Sequence, residues 1–425
     1  MGLKVGYKHT EIGDIPTDWE VWPVKRMGEV ITGKALAAWA PGRQRPYLRT
    51  KNVFDGYIDI SDVLTMPMSD AQFAQFMVQE GDLLLNEGQS LELVGRCAMY
   101  RNEYPEHCAF QNQLLRFRAR PGTDRAFACQ LFRHCQHTGA FARIALQTTS
   151  IAHLGGKRFE NFHLAWPSTE DEQRAIGAAL DDTDHLIEQL DRLIAKKRDL
   201  KQAAMQQLLT GRTRLPGFKG KWDTKRLGDV VDTDPENLGA STPRGLRFNY
   251  IALEDVDRGV LRSFTEHVLH LAPSRARRWL RHNDVLVSTV RPNLQSHLLF
   301  RATPGVWVCS TGFCVVRCRP RITDPAFIFS KFFGHEVTRQ IDALLTGSNY
   351  PAINSADVRA LGIYMPGYEE QVAVSQVLSD MDAESAALES RRDKTRLLKQ
   401  GMMQELLAGR VRLVPHSCLQ GVTHG

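Results

Sequence analysis

Residues 172–215 read EQRAIGAALDDTDHLIEQLDRLIAKKRDLKQAAMQQLLTGRTRL, and residues 370–413 read EQVAVSQVLSDMDAESAALESRRDKTRLLKQGMMQELLAGRVRL. At a constant offset of 198, 20 of these 44 positions are identical, so the chain carries a duplicated unit of about 200 residues. Gly and Pro are nearly absent from each copy and strong helix formers dominate, which predicts helices over about residues 170–209 and 369–407. Thr169 and Glu172 form an N-cap pair, and Gly211 stands where the first helix should end. Leu186, Leu190, Leu193 and Leu200 trace an a/d seam that Lys197 interrupts. In the second copy Val374, Val377, Met381, Leu388, Leu398 and Met402 share a face. A half-apolar helix is unstable alone in water, so each is expected to bury its stripe on the other as an antiparallel pair. An ordinary dimerisation coiled coil is the competing explanation for one such helix; two matched copies in one chain favour pairing in cis.

A second repeat lies outside the helices. IPTDWEVWPVKRMGEVI at residues 15–31 matches LPGFKGKWDTKRLGDVV at 215–231 without a gap, at an offset of 200. Pro16, Trp22, Lys25, Arg26, Gly28 and Val30 recur as Pro216, Trp222, Lys225, Arg226, Gly228 and Val230. Farther on, YLRTKNVFDGYI from Tyr47 echoes YIALEDVDRGVL from Tyr250, and GDLLLNEG from Gly81 echoes NDVLVSTV from Asn283. Strand-rich segments in the same order but with different polar residues suggest one fold with two specificities. The expected class is α+β: two similar mixed α/β domains, residues 1–168 and 213–366, separated by two long antiparallel helices, residues 169–212 and 367–410, with a tail at 411–425. The tail repeats the GR-x-RL run (Gly409, Arg410, Arg412, Leu413), as though a third copy began there, so the chain could close on itself with approximate two-fold symmetry.

EDEQRAIGAALDDTDHLIEQLDRLIAKKRDLKQAAMQQLLTGRTRLPGF and its second copy, together with IPTDWEVWPVKRMGEV, resemble the specificity subunits of type I restriction-modification systems over almost the whole chain. The E-Q start, the L-K-Q-x-x-M-Q-x-L-L ending and the G-R-x-R-L run are specific in combination. The resemblance implies a non-catalytic subunit whose two target-recognition domains each read one half of a bipartite double-stranded DNA site. The helices would set the gap and dock two methyltransferase subunits, with restriction subunits joining them; S-adenosylmethionine, ATP and magnesium would belong to those partners. A helix of about 38 residues spans roughly 57 Å, enough to hold two readers apart by one DNA turn of about 34–36 Å. The alternatives are a structural coiled-coil adaptor and a stand-alone DNA-modifying enzyme. Against the latter, the sequence contains no P-loop, no D/N-P-P-Y/F motif and no P-D-(D/E)-x-K pattern; Asp324-Pro325-Ala326-Phe327 reads as a helix start.

Composition is compatible with this picture without requiring it. Hydrophobic and charged fractions of 43% and 24% are ordinary for globular domains, and 54 Lys and Arg against 48 Asp and Glu give a net charge of +6. The eight cysteines include no C-x-x-C pair, and Cys309, Cys314 and Cys318 lie in an apolar run that reads as buried thiols. His134 and His137 read as exposed helix histidines rather than metal ligands. The N-terminus lacks the apolar core of a signal peptide and no run of 18 apolar residues occurs, so a cytoplasmic protein without membrane contact is expected.

Base edges are read by paired donors and acceptors, whereas Lys, Arg, Ser and Thr grip phosphates. Polar positions that differ between the repeats are therefore the DNA-binding candidates. In the first domain these are Arg49, Lys51 and Asn52; Asn86, Glu87 and Gln89; Gln111, Asn112 and Gln113; and Thr148, Thr149, Ser150 and Lys157. In the second they are Arg244 and Arg247, from a stretch (residues 241–281) with eight arginines and no lysine, then Ser288, Thr289, Arg291 and Asn293, and Ser348, Asn349 and Tyr350. Arg291 beside Pro292 is the leading candidate for a bidentate guanine contact, with an ion pair to Asp284 as its alternative. For every other candidate the alternative is a solvated turn or strand end.

Overall fold

The computed structural model describes residues 5–147, 150–345 and 351–413. The chain divides into two units, Met1–Asp191 with Arg391–Gly425, and Arg192–Ser390. Each is a mixed α/β domain completed by parts of both long helices, Glu170–Leu208 and Tyr368–Leu406.

In the first unit, Glu20–Pro23 pairs antiparallel with His163–Trp166. An antiparallel sheet runs in the order Gly28–Thr32, Leu114–Ala119, Leu83–Asn86, Cys97–Met99. Its central run, Leu83–Asn86, is buried throughout, because one face packs on the helix Arg125–His137 and the other on the sheet Ala109–Phe110, Arg43–Leu48, Leu64–Met68. In the second unit, Asp223–Arg226 pairs with Gly362–Met365. One sheet there runs Val231–Thr233, Phe313–Cys318, Val285–Ser288, Leu298–Leu299, and a second runs Thr265–Val268, Arg247–Ile251, Trp307–Ser310, Ala276–Trp279. Asp124 and Asp324 cap equivalent helices, each accepting from a Phe N–H three residues on (Phe127 and Phe327) at 2.8 Å, so the D-P-A-F run is a helix start.

The two units share a set of framework contacts, with one correction to the gapless N-terminal match. Trp19 Nε1 donates to Glu172 at 3.3 Å, and its counterpart is Trp222 Nε1 on Glu370 at 3.2 Å. Val24 N donates to Phe162 O as Leu227 N does to Leu361 O, and Thr123 Oγ1 donates to Met27 O as Thr323 Oγ1 does to Val230 O. The N-terminal members of these pairs, Trp19 and Trp222, Val24 and Leu227, Met27 and Val230, stand 203 apart, three residues from the offset at which K-R-x-G-x-V matches. Trp22 is thus not the equivalent of Trp222, nor are Lys25 and Arg26 those of Lys225 and Arg226. The physical reason is burial: Val24 and Met27, like Leu227 and Val230, enter the core and decide register, while the Lys-Arg pairs are exposed and free to drift by about one helical turn.

The long helices pair antiparallel within each unit. In the first unit Asp184 takes Lys399 at 2.6 Å and Asp191 takes Arg396 at 2.9 Å; in the second, Lys201 pairs with Asp382 and Arg198 with Glu389. These are the same pairs at an offset of 198 with the two helices exchanged. The seam differs from the one expected. Ile176, Leu180, Leu190, Ile194 and Leu208 are buried on the first helix, and Val374, Leu378, Thr395, Lys399, Met403 and Leu406 on the second. Of the expected pairing residues only Leu190 is fully buried; Leu186, Met381, Leu388 and Met402 are half-buried. Leu193, Leu200 and Leu398, at 38%, 47% and 61% exposure, lie off the seam. The stripe keeps Lys197 but passes through Ile194 and Lys201, one residue after Leu193 and Leu200, with Glu384 and Asp382 on the opposite helix pairing with the two lysines. Such exposed pairs contribute little stability, roughly 0.2–1 kcal/mol each, but they select the register.

The tail closes the first unit as residues 209–215 close the second. Arg412 bridges Glu172 (2.7 Å) and Asp18 (2.7 Å), and Tyr7 Oη donates to Gly409 O. In the second unit Arg214 grips Glu370 with two bonds of 2.5 and 2.6 Å. Gly211 and Gly409 both sit at φ +67°, where glycine is favoured, and at Gly409 a Cβ would meet the Pro16 ring at 2.5 Å.

Candidate nucleic-acid interface

In the first domain, backbone pairing gathers four polar segments that are far apart in sequence. Gln111 N donates to Leu48 O, Glu87 N to Gln113 O, and Leu154 N to Glu87 O. Asn86 Nδ2 reaches Val53 O at 3.4 Å, joining the turn after Asn86 to the loop that carries Arg49, Lys51 and Asn52.

Inside this cluster the candidates differ in what their side chains do. Arg49 and Lys51 converge on Asp62 at 2.6 and 2.9 Å, and hydrogen bonds from Lys51 and Arg49 hold that carboxyl below the usual range. Asn52 is buried: it accepts from Arg49 N and donates to Asp59 O and Asp62 O, bracing the loop from within. Asn86 is also buried. Glu87 accepts from Gly155 N at 3.2 Å and lies 3.0 Å from His153 Nδ1. Gln113 covers Gly88, where an added Cβ would meet its Oε1 at 1.8 Å. Gln89, Gln111 and Asn112 are half-buried. Lys157 is exposed, with Glu160 3.0 Å away, and Ser150 is exposed; Thr148 and Thr149 lie outside the described residues.

The second domain uses the same frame. Thr289 N donates to Gly312 O, and Ile353 N to Thr289 O, which makes Thr289 the equivalent of Glu87, Gly312 of Gln113 and Ile353 of Leu154. Ser288 and Thr289 are buried; their hydroxyls donate to Val290 O (2.7 Å) and Gly312 O (2.8 Å), so they shape the turn. That turn presents Arg291 and Asn293 outward. Arg291 sits at φ +48°, a left-handed conformation held by its N–H on Pro351 O. Its alternative partner Asp284 is buried and engaged by two bonds of 2.8 and 2.7 Å from Arg317. Beneath the turn, buried His297 accepts from Ser288 N at 3.1 Å, and burial pushes its pKa down to about 4.

Arg244 and Arg247 are exposed, and Arg247 lines a cavity of about 550 Å³ with Asn249, Glu266 and His267. The arginine-rich stretch is partly spent internally, Arg262 on Asp257, Arg278 on Asp234 and Arg281 on Glu236. Ser348, Asn349 and Tyr350 lie outside the described residues. Sequence reasoning missed His153, Arg133 and His297. No local pattern marks them, because each matters only through partners distant in the chain.

No family model matches the chain. It is 23% identical, over 96% of its length and 97% of the relative's, to a putative type I restriction enzyme MjaX specificity subunit from Methanocaldococcus jannaschii. The MjaVIII specificity subunit of the same organism is 22% identical over 94% of each chain. The backbone of the present chain matches the S subunit of a type I restriction-modification system from M. genitalium with a TM-score of 0.57 and 13% identity, covering 96% of this chain and 98% of that one. The fold is that of a type I specificity subunit. The HsdS subunit from Thermoanaerobacter tengcongensis matches with a TM-score of 0.51 and 18% identity over 93% of this chain and 98% of that one. The type I specificity fold thus accounts for both mixed α/β domains and both long helices. Among the described residues no helix is long and apolar enough to cross a membrane.

Proposed function

We propose that the chain is the sequence-specific DNA-binding subunit of a type I restriction-modification complex, each domain reading one half of a bipartite target. The observation that carries this reading is a single backbone frame with two polar sets. The turns at Glu87 and Thr289 share their hydrogen bonds, yet one carries Glu87, Gln113 and His153 and the other Thr289, Gly312 and Ala352. Lys51 and Glu254, at the offset of 203, place opposite charges on equivalent loops. A frame kept constant while its polar groups change suits reading two base sequences with one docking geometry.

Arg291, Asn293, Gln111, Asn112 and Gln89 are the proposed base readers, with Lys51, Lys157, Arg244, Arg247 and Ser150 on phosphates. Asn52, Asn86, Ser288 and Thr289 hold the loops. The long helices set the gap between half-sites and dock two methyltransferase subunits. Leu200 and Leu398 are the same position in the two copies and are both solvent-facing, which would provide one apolar foothold per subunit. The chain itself is non-catalytic and cytoplasmic; S-adenosylmethionine, ATP and magnesium belong to the methyltransferase and restriction partners.

The test is selection of random duplexes by the full chain together with its methyltransferase subunits. Two conserved blocks at a fixed spacing are expected, and replacing residues 32–165 with a relative's domain should change one block alone. Enrichment of no sequence, or methyl transfer by the chain alone, refutes the proposal.

A further inference from the structure

The loops over residues 49–62 and 252–265 are equivalent, because Gly56 N donates to Cys97 O as Gly259 N does to His297 O. They are anchored by unlike chemistry. In the first domain Asp55 accepts from Arg133 Nε at 2.7 Å and Nη2 at 3.3 Å, and lies 3.1 Å from His137 Nε2. Arg133 is buried, and its third nitrogen, Nη1, donates to Asp184 at 2.5 Å and to Gln130 Oε1 at 3.4 Å. Asp184 in turn receives Lys399 Nζ at 2.6 and 2.7 Å. Four charges of alternating sign therefore run unbroken from the loop, through the helix Arg125–His137, to both long helices.

The second domain has an aromatic cluster at that place. Phe329 and Phe333 lie beneath Gly259, where an added Cβ would meet Phe329 at 3.1 Å. Their rings are 5.1 Å apart, and His297 is 5.7 Å from Phe333. Arg258 stands at the position of Asp55, at the offset of 203.

We propose that Asp55, Arg133, Asp184 and Lys399 are positioning residues that tie the first reading loop to the helix pair, making one half-site's discrimination depend on side chains remote from DNA. This rests on the reading above. A buried arginine between two carboxylates is poorly repaid in stability but demands one geometry: loss of Asp55 leaves the guanidinium with Asp184 alone, and loss of Asp184 also strips Lys399 of its carboxylate. Burial opposes ionisation of Asp55, yet bonds from His137 and Arg133 hold its carboxyl well below the usual range, so Asp55 is charged at neutral pH. The aromatic anchor carries no chain of charges, so beyond the Gly259 N–H bond to His297 O the second loop rests there on packing.

The experiment is random-duplex selection by the full complex, with hydrogen exchange of residues 49–62 measured on the same preparations. Asp184→Asn and Lys399→Met should each lower discrimination at one half-site by about tenfold and speed exchange in that loop, with the other half-site unchanged. Asp184→Glu should retain wild-type selection, and Phe333→Leu should affect the opposite half-site only. Equal loss at both half-sites, or wild-type selection by both Asp184→Asn and Lys399→Met, overturns the relay. Should the wild-type complex select no sequence, the proposed function falls; unaltered exchange in residues 49–62 of Asp184→Asn then refutes the relay independently.

Discussion

Replacing Glu370 with Gln should loosen the second unit at its closure. Glu370 is 4% exposed and is the joint acceptor for Arg214, at 2.5 and 2.6 Å, and for Trp222 Nε1, at 3.2 Å. The amide keeps the volume but loses the charge, and it turns an N–H₂ group toward a guanidinium or an indole N–H. A hydrogen bond to a charged group is worth about 1.5–3 kcal/mol, and Arg214 retains some water contact, so about 2 kcal/mol should be lost. For a unit of this size that lowers Tm by roughly 4–8 °C. The matched change Glu172→Gln offers an internal comparison. Arg412 keeps Asp18 at 2.9 and 2.7 Å, so that loss should be about half as large by the same reckoning. Calorimetry of the full chain, with tryptophan fluorescence as a second probe, reads both. A Tm within about 1 °C of wild type for Glu370→Gln, or a larger fall for Glu172→Gln, would refute the reasoning.

His297 is buried neutral, with a folded pKa of about 4, below the unfolded value of about 6.5. The unfolded chain binds the extra proton between these values, so this contribution is intact above about pH 6.5 and falls by about 3 kcal/mol as pH drops toward 4. Urea unfolding of His297→Gln should accordingly show a shallower acid loss than wild type; identical pH profiles would contradict the assignment. Leu200→Glu and Leu398→Glu should weaken capture of the methyltransferase subunit while leaving the Tm of the chain unchanged, and undiminished capture by the double variant would remove the proposed footholds. Four residues inserted near Ala195 should alter the spacing between the selected half-sites and leave their sequences alone, whereas altered half-sites would contradict the spacer role.

The duplication, the two long helices and the resemblance to specificity subunits were legible because each rests on local repetition. A 39-residue helix announces itself by composition, and the L-K-Q and G-R-x-R-L runs recur unchanged. The seam was less legible. The a/d spacing placed Leu193 and Leu200 on the seam, but the register is chosen with the opposite helix, whose Glu384 and Asp382 pair with Lys197 and Lys201. The same holds for K-R-x-G-x-V, where identity of the exposed Lys-Arg pairs misled by three positions because burial of Val24 and Met27 decides the alignment.

Among the candidates for DNA, sequence could nominate polar residues but not sort them. Asn52 and Asn86 read like base contacts until their buried amides are seen to brace a loop. Arg133, which no sequence pattern singles out, joins Asp55 to Asp184. What the chain determines by itself is therefore its periodic content: repeat, helix, strand order and the identities that carry the resemblance, all encoded in near neighbours. Which polar side chains face outward, and which are consumed inside, is decided only by tertiary structure, because a hydrogen bond or ion pair depends on a partner that folding brings from far along the chain.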